Sequence, residues 1–149
     1  MNSLIIKKME ISDLEEIEKI GFENYDDFWN SNTLRSELVK NDINTNYFIA
    51  LKDNDILGFV GTLKIIDELN IMNIAVKKNH RHLGIGSSLI SYLIEYCNSL
   101  NIPTITLEVN VNNTEAIGLY KKYGFKKTGQ RKKYYNNIDD ALIMSLYLK

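Results

Sequence analysis

The sequence predicts a single domain of mixed α/β class, with a mostly antiparallel twisted sheet of about six to seven strands and helices on both faces. A chain of 149 residues with 44% hydrophobic content suits one compact domain over residues 1–149. Strand-like and helix-like segments alternate along it without repeats, low-complexity tracts or linkers. A strand, helix, strand unit in the middle of the chain predicts a right-handed crossover between parallel strands.

The first forty residues predict one short strand and two amphipathic helices. The run LIIKKM is typical of a strand. Ser12 followed by Glu15 matches a capping box, so the first helix is expected to begin at Asp13. A second helix is expected to start at a cap on Ser31 or Asn32 and to continue through apolar residues at helical spacing.

The middle of the chain predicts a hairpin, a central strand and a long helix. Two strand-like runs flank the turn-forming sequence KDND, which indicates an antiparallel hairpin over residues 46–66. The next run, ELNIMNIAV, is apolar at most positions and predicts a strand buried on both faces near the sheet centre. After a glycine loop, an apolar stripe at helical spacing predicts a helix through Leu89, Ile90, Leu93, Ile94, Cys97 and Leu100.

The last third of the chain predicts a strand, a helix and two closing strands. NIPTITLEV returns the chain to the sheet, and its proline lies where a strand begins, which is tolerated. NNTEAIGLYKKYGF combines an asparagine cap, an amphipathic helix and a terminal glycine. FKKTGQRKKYY and DALIMSLYLK follow as strands.

Composition and charge exclude several classes of function. Eighteen basic and nineteen acidic residues give a net charge of -1, so no general field attracts nucleic acid or an anionic membrane. No stretch reaches the roughly 18 apolar residues of a spanning helix. Cys97, the single cysteine, lies on the apolar helix stripe and is expected to be a buried hydrophobe. His80 and His82 have no ligand cluster nearby, so no metal site is expected. We expect a cytoplasmic protein, either a monomer or a weak dimer, with no nucleic acid or membrane partner.

The stretch HRHLGIGSSL is the strongest candidate for a binding site. It lies between a buried strand and a helix, where the first N–H groups of the helix have no intrahelical acceptors. Glycine lets the backbone approach an anion closely, and Arg81 adds positive charge, so a diphosphate is the expected ligand. Gly86 is followed by Ser87 instead of lysine, which excludes a Walker loop, and Leu89 occupies the small-residue position of a dinucleotide fingerprint.

In this context the pattern Arg81-x-x-Gly84-x-Gly86 resembles the pyrophosphate loop of the GNAT superfamily of N-acetyltransferases. TLEVNVNNTEAIGLYKKYGF is similar to the second half of the acetyl-CoA site of that family. GQRKKYYNNIDDALIMSL is similar to the closing hairpin of its RimI-type ribosomal-protein-alanine branch. The resemblance covers nearly the whole chain and is closer after residue 66. Asn110, where many members carry arginine, and the short acidic match at residues 67–70 are departures that concern the acceptor.

The resemblance implies a single GNAT domain that uses acetyl-CoA. The central strand would pair with the pantetheine arm, and the N–H of Val76 would polarise the thioester carbonyl. The glycine loop would wrap the pyrophosphate, and the start of the next helix would contact the pantetheine. The implied cofactor residues are Ile74, Ala75, Val76, Arg81, His82, Leu83, Gly84, Ile85, Gly86, Ser87 and Asn113.

The resemblance also implies a proton acceptor at Glu108 and a proton donor at Tyr120, with direct acetyl transfer. An unperturbed glutamate, with a pKa of about 4.3, is a poor base toward an α-ammonium near ~8, so a desolvated Glu108 is expected. The implied acceptor-side residues are Phe28, Trp29, Glu68, Tyr134 and Tyr135.

The expected function is therefore acetylation of a protein N-terminal α-amine, with the N-terminal alanine of a ribosomal protein as the first choice. A second interpretation keeps acetyl-CoA but gives the amine to a small metabolite or a lysine side chain. A third is a regulatory module that binds CoA without catalysis, against which the joint presence of Glu108 and Tyr120 argues.

Overall fold

The computed structural model describes residues 4–20, 31–135 and 138–148. In this part of the chain, strands and helices alternate much as the sequence predicts. The strands are β1 (Ile5–Lys8), β2 (Thr45–Lys52), β3 (Asp55–Ile65), β4 (Glu68–Val76), β5 (Thr104–Asn110), β6 (Lys126–Tyr135) and β7 (Asp139–Tyr147). The α-helices are α1 (Leu14–Ile20), α2 (Ser31–Lys40), α3 (Ile85–Ser99) and α4 (Thr114–Lys122).

The seven described strands form one sheet in the order β1-β2-β3-β4-β5-β7-β6. Strands β4 and β5 pair in parallel, and every other neighbouring pair is antiparallel. The predicted mixed, mostly antiparallel sheet is thus confirmed, and its parallel pair is the one joined by the crossover helix α3. Strand β4 lies fourth of seven, at the predicted centre.

Helices cover both faces of the sheet, as predicted, and each face has its own core. On one side, called here the α3 face, α3 and α4 pack on the sheet through Leu89, Leu93, Cys97, Tyr120, Ile105 and Leu107. On the other side, called the α1 face, α1 and α2 pack on the first four strands through Leu14, Ile17, Leu34, Ile49 and Phe59. Among the described helices, none contributes to a core over the rest of the α1 face, which is formed by β5, β7 and β6.

Strand β4 contributes side chains to both cores, and it contains a β-bulge. Gly61 of β3 pairs with Asn73, and the next residue, Thr62, pairs with Ile71, so Met72 is an extra residue without a partner on β3. The prediction of burial on both faces is wrong at Met72, which is 37% exposed, and at Glu68. The bulge interrupts the regular alternation of β4 side chains between the two faces of the sheet.

Two predicted helix ends also need correction. The first helix is expected to begin at Asp13, but a 3-10 turn at Ile11–Asp13 precedes α1, which begins at Leu14. A capping box joins Glu10 and Asp13 across this turn, and in it the Glu10 N–H donates to the Asp13 carboxylate over 2.8 Å. Leu100 is 53% exposed because α3 ends at Ser99.

Candidate active site

A gap opens between the parallel strands at the centre of the sheet. Glu68–Ile71 of β4 pair with Thr104–Leu107 of β5, but no pair joins the strands beyond that point, although both continue. The Lys77 N–H donates to the Leu57 carbonyl over 2.7 Å, so alternate residues of β4 turn their backbone groups toward β3. The backbone groups of Ile74 and Val76 consequently face the gap, where an extended ligand can pair with them.

The glycine loop leads directly from this strand edge to the N-terminus of α3. Gly84 has a φ of 85°, a left-handed conformation that glycine adopts without steric cost. The first intrahelical bond runs from the Ser88 N–H to the Gly84 carbonyl over 2.9 Å. The N–H groups of Ile85, Gly86 and Ser87 therefore precede the helical ladder and can bind an anion.

Gly86 is the point at which the loop, β4 and α4 meet. A Cβ atom at Gly86 would lie 3.2 Å from Leu119 Cδ2 and 4.0 Å from Val76 Cγ2. The first turn of α3 is thus packed tightly against α4 and the end of β4. The predicted pyrophosphate loop, strand edge and following helix therefore form one continuous site.

The other loop side chains lie mostly at the surface. His82 has a φ of 64°, and its Nε2 lies 3.6 Å from Glu115 Oε1 in the first turn of α4. Leu83 is 68% exposed, and Arg81 is half-buried. The groups that this loop offers to an anion are therefore mainly backbone N–H groups, and Arg81 is the cation nearest to the helix start along the chain.

Asn113 caps α4, as the sequence predicts. Its Oδ1 accepts a hydrogen bond from the Ala116 N–H over 3.2 Å. The cap holds the start of α4 in place, and the amide nitrogen is the part of this exposed side chain that can contact a ligand.

Tyr120 lies in the core on the α3 face. It is 4% exposed, and its ring packs on Phe125 with centroids 5.7 Å apart. Burial raises the pKa of Tyr120 well above the usual value, so the phenol stays protonated. The described part of the chain offers its hydroxyl no hydrogen-bond partner, which leaves that proton available to a ligand.

Glu108 lies on the opposite face of the sheet. Its neighbours in β5, Leu107 and Val109, point into the core on the α3 face, so Glu108 points to the α1 face. The Glu108 side chain is 27% exposed, so it is only partly removed from water, and its Oε1 lies 2.9 Å from Arg131 Nε. Arg131 is therefore a partner of Glu108 that the sequence analysis did not single out, although it lies in the segment GQRKKYY that carries the family resemblance.

A polar network fixes the end of β5 next to Glu108. Asn110 Nδ2 donates to Asp139 Oδ2 over 3.0 Å, and Asn112 Nδ2 donates to the other carboxylate oxygen over 3.1 Å. Asn110, which the sequence analysis noted as a departure from the family pattern, thus ties β5 to the start of β7. The motif spacing gave no signal for this contact.

The structure describes only part of the predicted acceptor side. Glu68 lies at the far end of the paired segment, opposite Thr104, four positions before Met72, so the structure does not bring it to Glu108. Tyr134 and Tyr135 end strand β6, where Tyr135 is opposite Asp139. Phe28 and Trp29 lie outside the described residues.

Cys97 takes no part in this site. Cys97 is fully buried in the core on the α3 face, and burial raises the pKa of its thiol to about 11.

Within residues 4–20, 31–135 and 138–148, no three His, Cys, Asp or Glu side chains are grouped to hold a metal ion. No helix in those ranges has the length and apolar character needed to cross a membrane.

Comparison with known proteins places this site in a family. The model of the acetyltransferase (GNAT) family matches residues 10–125. A Bacillus subtilis protein with the provisional name [ribosomal protein bS18]-alanine N-acetyltransferase is 33% identical over 140 residues, which cover 93% of this chain and 92% of that protein. The [ribosomal protein bS18]-alanine N-acetyltransferase of Escherichia coli K12 is 31% identical over 121 residues, 79% of this chain and 80% of that protein.

The fold agrees with this assignment. The crystal structure of the ribosomal-protein-S18-alanine N-acetyltransferase from Escherichia coli superposes with a TM-score of 0.87 and 27% identity, over 99% of this chain and 95% of that one. GNAT enzymes take their acetyl group from acetyl-CoA, which is therefore the acetyl donor here. The chain belongs to the GNAT family and is an N-acetyltransferase.

Proposed function

We propose that this enzyme acetylates the α-amine of a protein N-terminus by direct transfer from acetyl-CoA, with the N-terminal alanine of a ribosomal protein as the expected acceptor. The observation that carries the proposal is that Glu108 borders the gap on the α1 face, while α4, the helix that carries Tyr120, packs on the α3 face against Gly86 beside the end of β4. Acetyl-CoA would enter on the α3 face and the amine on the α1 face. The names of the relatives support alanine as the acceptor residue.

The cofactor side of the site would act mainly through backbone groups. The N–H groups at the start of α3 would bind the pyrophosphate, helped by the helix dipole. The free edge of Ile74 and Val76 would hold the pantetheine as an added strand, and the Val76 N–H would donate to the thioester carbonyl. Bound acetyl-CoA supplies the activated acetyl group, and these contacts orient it toward the gap.

The acceptor side would remove a proton from the α-ammonium of the acceptor. An α-ammonium must lose a proton before its nitrogen can attack, and the Glu108 carboxylate is the base that this face of the gap offers. Its ion pair with Arg131 fixes one of the carboxylate oxygens in place. The second oxygen can then accept a proton from the amine, directly or through one water.

Tyr120 would complete the reaction on the opposite face. The CoA sulfur leaves more readily when it gains a proton as the thioester C–S bond breaks. The buried phenol of Tyr120 keeps its proton at neutral pH and can donate it to that sulfur. Cys97 is a buried thiol in the core, so the proposal includes no acetyl-enzyme at this cysteine.

A pair of peptides tests the choice of acceptor. One begins with a free alanine; the other has the same sequence with a blocked N-terminus and an internal lysine. We expect a much higher kcat/KM for the free alanine peptide, because only its amine lies at the end of an extended chain. Equal rates, or faster turnover of a polyamine, would assign the site to lysine or small-molecule amines instead.

A further inference from the structure

Asn73 is a buried polar side chain that the proposed chemistry does not yet use. It follows the bulge in β4 and is 8% exposed. Its amide nitrogen is fully buried, and no group in the described part of the chain accepts a hydrogen bond from it. A buried donor without an acceptor costs free energy in the free protein, so the native sequence gains nothing in stability from this group.

The geometry places Asn73 on the acceptor side of the gap. It pairs with Gly61 of β3, and a Cβ atom at Gly61 would overlap the ring of Tyr47, which belongs to the core on the α1 face. Residues directly opposite in antiparallel strands share a face, so Asn73 points to the α1 face. Glu108 points to the same face from the other side of the gap.

The two residues flank the opening at nearly the same level. The last β4–β5 pair is Ile71 with Leu107; Glu108 is the next residue of β5, and Asn73 follows the extra residue in β4. A carboxylate and an amide donor therefore border the place where the acceptor amine must enter. The first accepts hydrogen bonds, and the second donates them.

We infer that the Asn73 amide donates to the carbonyl oxygen of the first residue of the acceptor while Glu108 receives its amine, an inference that rests on the proposed function. In a peptide, the N-terminal amine and the first carbonyl are bonded to the same carbon atom. Polyamines and lysine side chains carry no carbonyl at that position. Asn73 is thus a specificity-determining residue that favours α-amines of peptides, because other amines leave its donor unpaired.

Asn70 provides a matched control on the same strand. It lies between Leu69 and Ile71, which point to the α3 face, so it also points to the α1 face. Its Nδ2 already donates to the Leu63 carbonyl over 3.3 Å. Asn73 and Asn70 therefore share residue type, strand and face but differ in whether the amide has a partner.

The test combines two variants with two substrates. Asn73→Leu and Asn70→Leu are assayed with a short alanine-first peptide and with its (E)-alkene isostere, which keeps the shape but lacks the first carbonyl. For the wild type and Asn70→Leu, kcat/KM should be roughly 10- to 100-fold higher on the peptide than on the isostere. Asn73→Leu should lose this preference and turn over both substrates at similar rates.

Thermal melting adds a readout that separates recognition from folding. Asn73→Leu removes an unpaired buried amide and should melt at or above the wild-type temperature, whereas Asn70→Leu loses a hydrogen bond and should melt lower. If Asn73→Leu does not fold, Asn73→Ala removes the same donor and is subject to the same substrate comparison.

The outcomes distinguish the inference from the function on which it rests. If the wild type prefers the peptide and a folded Asn73 variant keeps that preference, Asn73 does not read the carbonyl, and the proposed function stands. A wild type that turns over peptide and isostere equally also overturns the role of Asn73 and leaves the proposed function in place. If the wild type acetylates neither and acts on a polyamine, both proposals are wrong.

Discussion

Replacing Gly86 by aspartate should abolish acetyl-CoA binding without unfolding the protein. The nearest atom to an added Cβ is Leu119 Cδ2 at 3.2 Å, the end of a flexible side chain that needs to move only a few tenths of an ångström. Gly86 lies in the first turn of α3, where a carboxylate is favoured by about 0.3–1 kcal/mol through the helix dipole. The free variant should therefore melt near the wild-type temperature.

Binding should suffer because the new carboxylate occupies the anion site. One unit charge about 4 Å from one phosphate charge costs ~4 kcal/mol at an effective dielectric constant near 20. Such a penalty corresponds to a roughly 1,000-fold higher Kd, before the loss of the N–H contacts is counted. Gly86→Ala, which adds bulk without charge, should weaken binding by much less.

Isothermal titration calorimetry with acetyl-CoA measures this effect, and thermal melts establish that the variants are folded. Gly118→Asp is the matched control, because Gly118 is an exposed glycine of α4 whose added Cβ would meet no atom within 4 Å. It should bind acetyl-CoA like the wild type. A folded Gly86→Asp protein with unchanged affinity would refute the assignment of the loop to pyrophosphate.

Three further predictions concern the acid, the base and the cysteine. Tyr120→Phe keeps the ring packing but removes the hydroxyl, so kcat should fall while the Kd of acetyl-CoA and the melting temperature change little; an unchanged kcat would indicate a packing role only. Glu108→Gln should lower the rate at neutral pH on the order of 10²-fold, and the deficit should shrink as rising pH deprotonates the acceptor amine, whereas a constant deficit would contradict the base assignment. Because burial raises the pKa of Cys97 from 9.0 to about 11, the stability linked to its neutral thiol is present below pH 9.0 and is lost as pH rises through about 11. Iodoacetamide should therefore label it slowly at about pH 8 until the protein is unfolded, and rapid labelling of the folded protein would contradict its burial.

Features that depend on neighbouring residues could be predicted from the sequence. Gly84 and Gly86 predicted the loop before α3, and Asn113 predicted the cap of α4. Both could be predicted because each residue acts on backbone groups a few positions away. The strands and helices followed from hydrophobic periodicity, and so did the mixed sheet.

The gap and its polar partners could not be predicted in this way. Arg131 reaches Glu108 because β6, β7 and β5 lie side by side, an order that hydrophobic patterns do not encode. The sequence analysis considered only the apolar neighbours of Glu108 in β5, so it did not predict the ion pair with Arg131. In the sequence, Asn73 is one polar residue in an apolar strand. Only the bulge and the strand register show to which face of the sheet its side chain points.

The bulge at Met72 implies that the length of β4 matters more than the identity of its middle residue. Met72 has no partner on β3 and is 37% exposed, so many side chains should be tolerated there. Deleting the residue would keep every other β4 side chain on its present face and would turn the strand into a regular one. A β4 without the bulge could continue its hydrogen-bonded pairing with β5 past Leu107 and so close the gap between the two strands. A single codon deletion is thus expected to give a sheet that is more regular, folds well and has no room for a substrate.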